Sequence, residues 1–458
     1  MDRLPLALVF EILSRLDDSA DVGRCRVACK NFDKVFPDLR SINLHWPLQR
    51  YIELRSRNSS SSSQLSSPLK TIFLNLISNL KVLESVHIGA ENLPIDVSNA
   101  DVEDYGDDMY LTDGVFVNEW LPRVSGTLKS LSISDFWVQS CWRRSEVLSL
   151  VSAYCHNLLE LELKHAWLSM ANVNPMPNLT TLTLEFIRLD DKYLTELNKG
   201  FPNLQVLNLI GVKGLKLPMI HLLNLKTCHW TVTDTLPSLT LITPNLITLK
   251  LECGRLAAMY VEAPLLSYFH FAIDNVRAIS FKTFDNLKSL SLKSSHICSL
   301  AAKFPRIETV ENLTIESPDL AMGAVENSNF TLKKLLNYFP TVTSLCFNSR
   351  AWSKFEASYE SFEQFDLDGR KGVQKFRGYL LTVDPPLTFF LVTCVLEQCF
   401  NLEDVSLLFH RDVDVHASRR FIYWCTAHWP SVNWRWGTWA EGTEDSWITN
   451  GIPNAHEI

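Results

Sequence analysis

The segment Asn178-Leu-Thr-Thr-Leu-Thr-Leu184 decides the fold, because the same phrase recurs from about Cys155 to Ile297. The phrase is Asn-Leu, two residues, an apolar residue, one residue and another apolar residue. Its copies are HNLLELEL at 156–163, PNLTTLTL at 177–184, PNLQVLNL at 202–209, PNLITLKL at 244–251 and DNLKSLSL at 285–292. The leading leucines are Leu158, Leu179, Leu204, Leu225, Leu246, Leu266 and Leu287. Their spacing of roughly 20 to 25 residues is typical of a repeat protein.

Each phrase predicts a strand with one buried face. Leu182 and Leu184 alternate with threonines, which is the period of two that a half-buried strand requires. Five frames add an apolar residue further on, at Val138, Leu168, Leu189, Leu256 and Ile297. One such unit cannot bury its own apolar face, so neighbouring units must stack. We therefore expect an α/β leucine-rich-repeat solenoid, with a curved parallel sheet along the inner wall of a horseshoe.

The segments that connect the strands lack one common feature of leucine-rich repeats. In many such repeats an Asn or Cys stands at the third position after the strand and hydrogen-bonds the turn. Here that position holds Ala166, Ile187, Val212, Gly254 and Ser295. The sequence thus predicts no asparagine ladder, and return segments that are irregular or helical.

Composition narrows the class of protein. A chain of 458 residues usually forms about three domains, but a repeat array grows in one dimension and escapes that expectation. A formal net charge of −8 argues against binding nucleic acid, which normally requires a basic surface. No apolar run approaches the roughly 18 residues that cross a bilayer, and no secretory signal is evident at the start. We expect a cytoplasmic or nuclear protein without a membrane or nucleic-acid partner.

Neither a metal site nor an enzyme is predicted. The 11 cysteines lack paired spacing, so reduced thiols are expected. The residues that raise the question of zinc are Cys394, Cys399, His410, His416, Cys425 and His428. They lack the close Cys pairs of structural zinc sites. Because GxSxG, P-loop, GxGxxG and HExxH motifs are also missing from the sequence, we expect a non-catalytic protein without a cofactor.

Residues 1–45 differ from the repeats and predict a small helical unit. Pro5 suits the first turn of a helix, and apolar residues then recur at helical spacing up to Leu16. Asp17, Asp18 and Ser19 interrupt this series and offer an N-cap to a second helix. A unit of this size is marginal as a self-sufficient core, so it must lean on the repeats, on a partner or on both.

The stretch LPLALVFEILSRLDDSADVGRCRVACKNF at 4–32 resembles an F-box, through Leu4-Pro5, the EILSRL block and Cys29-Lys30 before an aromatic residue. Phe32 stands where Trp is usual, and Ala28 where Val is usual. Together with the repeats, the chain resembles the plant F-box/LRR-repeat proteins. The resemblance implies a three-helix F-box that grips a Skp-type adaptor, and through it a cullin. The adaptor-contact positions it implies are Leu4, Pro5, Ile12, Leu13, Leu16, Cys29 and Phe32.

Further implications of the resemblance are a role as substrate receptor in a Skp–cullin–F-box ubiquitin ligase, and repeats that hold a protein substrate. Three readings stay open: this ligase receptor, a non-ligase interaction scaffold, and a ligand-sensing receptor with a small-molecule pocket in the repeats. The N-terminal helices can also serve as a cap on the open end of the solenoid.

The sequence divides into four segments. These are an F-box at 1–45, irregular first repeats at 46–120, the regular solenoid at 121–350, and irregular last repeats with a tryptophan-rich cap at 351–458. The second segment carries a serine-rich insertion at 55–68 and an acidic one at 91–113, both expected to be solvated loops. The tryptophans at the end are expected to close the apolar core, with a binding surface as the alternative.

Candidate partner-binding residues lie between the strand anchors. Neighbouring strands are about 4.8 Å apart, so outward side chains of successive repeats stack in columns. The predicted substrate contacts are Lys164, Glu185, Asn208, His229, Lys250, Glu252, Tyr268, His270 and Lys293. His229, Lys250, Tyr268 and His270 are expected to form one recognition patch, because aromatic and mixed-charge side chains suit protein interfaces. A merely hydrated wall is the equal alternative.

Overall fold

The computed structural model describes residues 4–47, 68–91, 110–136, 143–232, 235–282, 284–318, 332–357, 372–381 and 385–448. The chain divides into two compact units, residues 1–234 with 239–245, and residues 235–238 with 246–458. The four-segment division stays a prediction. The serine-rich run at 55–67 and the acidic residues Asp101, Glu103, Asp104, Asp107 and Asp108 lie outside the described residues.

Three helices open the first unit: α1 (Leu6–Ser14), α2 (Ser19–Ala28) and α3 (Lys30–Val35), followed by a 3-10 turn at Phe36–Asp38. Asp18 caps α2 by accepting a hydrogen bond from the Ala20 amide at 2.8 Å. Their buried core consists of Val9, Leu13, Val22, Phe32, Val35 and Phe36. The Ser19 hydroxyl accepts a bond from the Asn43 amide at 2.8 Å, so the helices lean on the first strand, as expected.

The first unit carries most of the predicted strand phrases. Its strands are β1 (Ser41–Pro47), β2 (Ser85–Glu91), β3 (Ser130–Ser134), β4 (Arg144–Ser145), β5 (Glu160–Lys164), β6 (Trp167–Leu168), β7 (Thr181–Glu185), β8 (Val206–Ile210), β9 (Met219–His221), β10 (Thr227–Val232) and, from Leu239 onward, β11 (Leu236–Ile242). Its further helices are α4 (Pro68–Ile77), α5 (Gly114–Val124), α6 (Val147–Tyr154) and α7 (Asp191–Gly200). Strands β1, β2, β3, β5, β7, β8 and β10 pair in parallel in that order.

The second unit repeats this architecture. Its strands are β12 (Thr248–Glu262), β13 (Tyr268–Phe281), β14 (Ser289–Lys293), β15 (Asn312–Glu316), β16 (Ser344–Phe347), β17 (Lys375–Leu380), β18 (Asp404–His410), β19 (Asn433–Trp439) and β20 (Ser446–Trp447). Its helices are α8 (Ile297–Ala301), α9 (Leu332–Tyr338), α10 (Ser349–Ala357), α11 (Pro385–Gln398) and α12 (Val415–His428). Strands β12 to β19 pair in parallel in chain order, and β20 pairs antiparallel with β19.

The register places equivalent anchors of successive repeats side by side. Leu161 pairs with Leu182, and Leu182 with Leu207. All three are buried, whereas the residues beside Leu182 on β7 are half-buried. This alternation confirms the predicted strands, and the parallel pairing of strands from successive repeats confirms a leucine-rich-repeat solenoid.

Some return segments differ from the expectation. The segment after β7 contains helix α7, but β12 and β13 extend for 15 and 14 residues into the region expected to be irregular or helical. Leu256, Met259 and Val261 are buried, so β12 continues to bury apolar residues beyond its two anchors. The expectation was therefore wrong for these two repeats.

A row of asparagines lies at the other end of the strands, at the start of each phrase. The Asn that begins each phrase donates from its side-chain amide to a turn carbonyl of the preceding repeat. In the first unit the bonds are Asn157 to Gly126 (2.9 Å), Asn178 to His156 (2.8 Å), Asn203 to Pro177 (2.9 Å), Asn224 to Pro202 (2.9 Å) and Asn245 to Leu223 (2.8 Å). In the second unit Asn286 donates to Pro264 at 2.8 Å. Each bond gives a hydrogen-bond partner to a turn carbonyl that takes no part in the sheet.

Three consecutive repeats of the first unit turn through a left-handed residue directly after the strand. These residues are His165 (φ 56°), Phe186 (φ 51°) and Gly211 (φ 61°). The rings of His165 and Phe186 stack with centroids 5.1 Å apart. A Cβ at Gly211 would lie 2.6 Å from the Phe186 ring, so a side chain here would clash with the ring as well as strain the backbone.

We expect Gly211→Ala to lower the free energy of unfolding by about 1–2 kcal/mol, because alanine is strained in the left-handed region. Urea and thermal unfolding of the full chain measure this loss. The matched control is Gly254→Ala, since a Cβ at Gly254 meets no atom within 4 Å. Adding Phe186→Ala to Gly211→Ala should restore the steric part of the loss. Equal stability of the Gly211 and Gly254 variants would contradict the assignment.

A buried carboxyl group joins the segment before α5 to the end of β3. Asp135 is fully buried and accepts hydrogen bonds from the Leu111 amide at 2.6 Å and the Thr112 amide at 2.8 Å, as well as from the Thr112 hydroxyl. Burial raises the pKa of Asp135 to about 7, and these hydrogen bonds only partly oppose it.

Stability should depend on pH through this group. Because the folded pKa of Asp135 lies above the ordinary value of 3.8, the unfolded chain loses the proton first. The free energy of unfolding should therefore fall, relative to Asp135→Asn, by about 1.4 kcal/mol for each pH unit between about 5 and 7. Above that range the difference should be constant. Urea unfolding of both proteins from pH 5 to 8 tests this, and parallel profiles would refute it.

Candidate functional site

Helix α1 and the two residues before it present apolar side chains to solvent. Leu4, Leu8 and Ile12 recur every four residues and are 36%, 52% and 38% exposed. Pro5 and Leu6 are exposed beside them. We call these five residues the α1 surface. Exposed apolar side chains this close together make the α1 surface the candidate interaction site of the first unit.

The predicted adaptor contacts separate into two groups. Leu4, Pro5 and Ile12 belong to the α1 surface, and Leu16 and Cys29 are half-buried. Leu13 and Phe32 are only 1% and 4% exposed, because they pack inside the core of the three helices. These two residues position the helices rather than present a surface.

Sequence reasoning missed Leu6 and Leu8. The signal that would have found them is the unusually dense apolar run from Leu4 to Phe10, interrupted only by Pro5 and Ala7. One helix cannot bury apolar residues on every side against a core of this size, so part of the run must face outwards.

An apolar groove of about 480 Å³ lies between α2, β1 and α4. Val27, which is 91% exposed, lines it together with Trp46 and Ile72. Gly23 also lines the groove, and a Cβ there would meet no atom within 4 Å. Because Gly23 has no side chain, α2 does not project into the groove at this position.

In the first unit, outward side chains of neighbouring strands form a charged network. The ammonium of Lys164 lies 3.2 Å from a Glu162 oxygen and 2.9 Å from a Glu185 oxygen, and the Ser132 hydroxyl donates to Glu162 at 2.6 Å. Burial by itself raises the pKa of Glu162, but the bond from Ser132 and the charge of Lys164 lower it overall. The predicted residues Lys164 and Glu185 therefore meet, as a pair that largely neutralises itself.

Asn208 and His229 continue the outward positions of this unit. Asn208 donates to the Thr183 hydroxyl at 3.0 Å, and His229 Nε2 lies 3.3 Å from the Thr231 hydroxyl. His229 belongs to the first unit, whereas the other members of the expected recognition patch belong to the second. Its place in that patch stays a prediction.

The second unit contains the remaining predicted contacts. Tyr268 is 40% exposed, and Lys250 lies 3.2 Å from Glu252. His270 is only 7% exposed, with Nδ1 2.9 Å from the Ser291 hydroxyl, which itself donates to Glu316 at 2.9 Å. Burial lowers the pKa of His270, against the nearby carboxylates Glu316 and Glu252. His270 is therefore a covered, internally bonded residue rather than a projecting one.

Phe186 is a further candidate that sequence reasoning missed. It directly follows β7, is 44% exposed and stacks on His165. Large exposed aromatic residues are enriched at protein interfaces. The signal in the sequence is Gly211, which occupies the equivalent position of the next repeat and leaves room for the Phe186 ring.

The described residues contain no group of three or more His, Cys, Asp or Glu side chains that could hold a metal ion. None of the cysteines within them forms a disulfide. Burial raises the pKa of Cys155 and of Cys228 to about 12, so both thiols stay protonated. No helix in the described part of the chain is long and apolar enough to cross a membrane.

Comparison with known proteins agrees with the fold. No family model matches the chain. An F-box/LRR-repeat protein of Arabidopsis thaliana is 40% identical over 455 residues, which cover 98% of this chain and 100% of that relative. The matched region includes the N-terminal helices as well as the repeats. The chain belongs to the F-box/LRR-repeat protein family.

Proposed function

We propose that this chain is the substrate-recognition subunit of a Skp–cullin–F-box ubiquitin ligase. The observation that carries the proposal is the α1 surface, in a chain whose relative is named an F-box/LRR-repeat protein. A Skp-type adaptor covers this surface and connects the chain to a cullin. The protein substrate binds the outward side chains of the strands.

The energetics favour a partner on α1. Fully burying an exposed leucine side chain contributes about 1.5–3 kcal/mol. Leu4, Leu8 and Ile12 are 36%, 52% and 38% exposed, so covering the rest of their surfaces contributes part of the binding free energy of a complex. Leu13 and Phe32 support the surface from beneath. Left uncovered, the same side chains would favour aggregation.

The outward strand residues suit a protein substrate. Tyr268 and Phe186 offer aromatic contact area, and Lys250 and Lys164 lie among carboxylates that can exchange one partner for another. The chain contributes no chemistry of its own in this mechanism. It raises the local concentration of the substrate at a ligase held elsewhere.

Replacing Leu4, Leu8 and Ile12 together by serine should abolish binding to a Skp-type adaptor, since each lost apolar contact weakens binding by about tenfold or more. Pull-down and calorimetry with the full-length chain measure the effect. Val115→Ser is the matched control, because Val115 is 79% exposed on α5 of the same unit. Thermal unfolding should be unchanged in both proteins.

Leu13→Ser should behave differently from the triple variant. It should lower the thermal midpoint, because Leu13 is buried among the three helices. Full adaptor affinity in the triple variant would remove the α1 surface as the adaptor site, and absence of adaptor binding by the wild-type chain would overturn the ligase proposal.

The substrate surface is tested in the triple variant that does not bind the adaptor. Because this variant does not bring its substrates to the ligase, the substrates that it binds can be recovered. Adding Lys250→Met and Tyr268→Ala should reduce the recovery of substrate proteins in quantitative proximity labelling by about tenfold, as expected when an aromatic and a charged contact are lost. The control pair is Lys303→Met and Tyr423→Ala, both exposed and both off the strands. If the test pair and the control pair gave identical labelling, Lys250 and Tyr268 would be removed from the proposal.

A further inference from the structure

A row of basic side chains crosses four successive repeats of the first unit, beyond the carboxyl ends of the strands. Arg144 in β4 pairs with Trp167 in β6. Trp167 bridges to Arg188, and Arg188 bridges to Lys213. We call these four residues the basic row. Because neighbouring strands lie about 4.8 Å apart, the row is about 14 Å long. Arg144, Arg188 and Lys213 are exposed, and Trp167 is half-buried.

Backbone hydrogen bonds hold the basic row in register. The Arg188 amide donates to the Ala166 carbonyl at 2.9 Å, and the Leu168 amide donates to the Arg188 carbonyl at 3.1 Å. The Lys213 amide donates to the Ile187 carbonyl at 2.8 Å. The side chains of the row therefore start from backbone positions that are fixed relative to one another.

Aromatic rings orient two of the cations. The guanidinium carbon of Arg188 lies 4.2 Å from the centroid of the Trp167 ring. The guanidinium carbon of Arg144 lies 5.1 Å from the Tyr193 centroid, and its Nη2 also donates to the Tyr193 hydroxyl. A guanidinium stacked on a ring still presents N–H groups at its edge, where they can donate to a carboxylate. Orientation before binding reduces the entropy that binding costs.

The surface around the basic row is positive. The exposed cations in the row or beside it in the sequence are Arg143, Arg144, Arg188, Lys213 and Lys216. The exposed carboxylates closest to it in the sequence are Glu146 and Asp190. Among the described residues, no salt bridge engages Arg144, Arg188 or Lys213. A chain with a formal net charge of −8 thus carries a local surface that attracts an anionic partner.

We propose that the basic row binds an extended acidic segment of a partner protein. Carboxylates of the segment accept hydrogen bonds from Arg144, Arg188 and Lys213. An extended chain advances about 3.3 Å per residue, so about four to five residues span the row. Arginine and tryptophan are also the residue types enriched where protein interfaces bind most strongly. The row shares no residue with the α1 surface, and the inference goes beyond the proposed ligase function without depending on it.

A single-stranded nucleic acid is the other polyanion that binds basic surfaces with aromatic residues. It does so by stacking its bases on open ring faces. In the basic row one face of Trp167 already carries Arg188, and one face of Tyr193 carries Arg144. The negative charge of the whole chain also repels a phosphate backbone. An acidic peptide segment fits this surface better.

The test titrates the full-length chain, at low ionic strength, with a fluorescent peptide of about ten residues in which aspartate alternates with glycine. Its carboxylates lie on one face of an extended chain. The same peptide with asparagine for aspartate is the uncharged control, and an oligodeoxythymidine is the alternative polyanion. Fluorescence anisotropy should show that the aspartate peptide binds more tightly than either, and that added salt weakens its binding.

Replacing Arg188 and Lys213 together by glutamine should weaken binding of the aspartate peptide about three- to tenfold, because exposed ion pairs are individually weak. Arg188→Lys should also weaken it, since lysine keeps the charge but loses the planar donor group. The matched control is Lys199→Gln with Lys226→Gln, which removes the same charge from exposed positions of the same unit outside the row. Thermal unfolding should be unchanged in all of these variants.

Three results would overturn the inference. The first is no binding of the aspartate peptide by the wild-type chain, and the second is tighter binding of the oligodeoxythymidine. The third is an equal loss of peptide binding in the two double variants, which would mean attraction by overall charge alone. Adaptor binding measured on the same samples distinguishes these failures from a failure of the ligase proposal.

Discussion

Hydrogen bonding between successive repeats is the constraint on which the structure depends. Each strand of a parallel sheet must find its backbone partners in the repeats before and after it, because no hairpin supplies them locally. The asparagine that opens each phrase adds one more bond between repeats, from its amide to a turn carbonyl. These bonds set the register of the strands, and the leucine anchors of successive repeats pack side by side behind the sheet. The outward side chains fall into columns for the same reason.

Much of this fold could be predicted from the sequence, because a period of two within a period of roughly 20 to 25 residues has few other physical solutions. The hydrogen-bond partner of each asparagine, in contrast, could not be predicted from the sequence. Asn178 bonds to His156 in the preceding repeat, and nothing at either position names the other. The long strands β12 and β13 were missed for a related reason, since residues such as Leu256 and Met259 suit either an extended or a helical segment.

The candidate sites show the same division between pattern and environment. Ile12 and Leu13 are adjacent in the motif, yet a helix turns about 100° between them, so one is exposed and the other buried. Strand alternation places His270 on the face of β13 opposite the buried anchors. It gave no information about Ser291, Glu252 and Glu316, whose side chains cover the ring. Burial of an outward residue depends on neighbouring repeats, and their side-chain conformations follow from packing rather than from spacing.

The last strand gives the array a definite end. All pairings from β12 to β19 are parallel, but β20 returns in the opposite direction, with Gly437 opposite Trp447. A Cβ at Gly437 would lie 2.7 Å from the Ser446 carbonyl, so glycine permits this close return. An exposed parallel edge is a template on which another chain can add its own strand. By pairing Ser446 and Trp447 with the Gly437–Thr438 part of that edge, the chain occupies backbone positions on which another copy could otherwise polymerise.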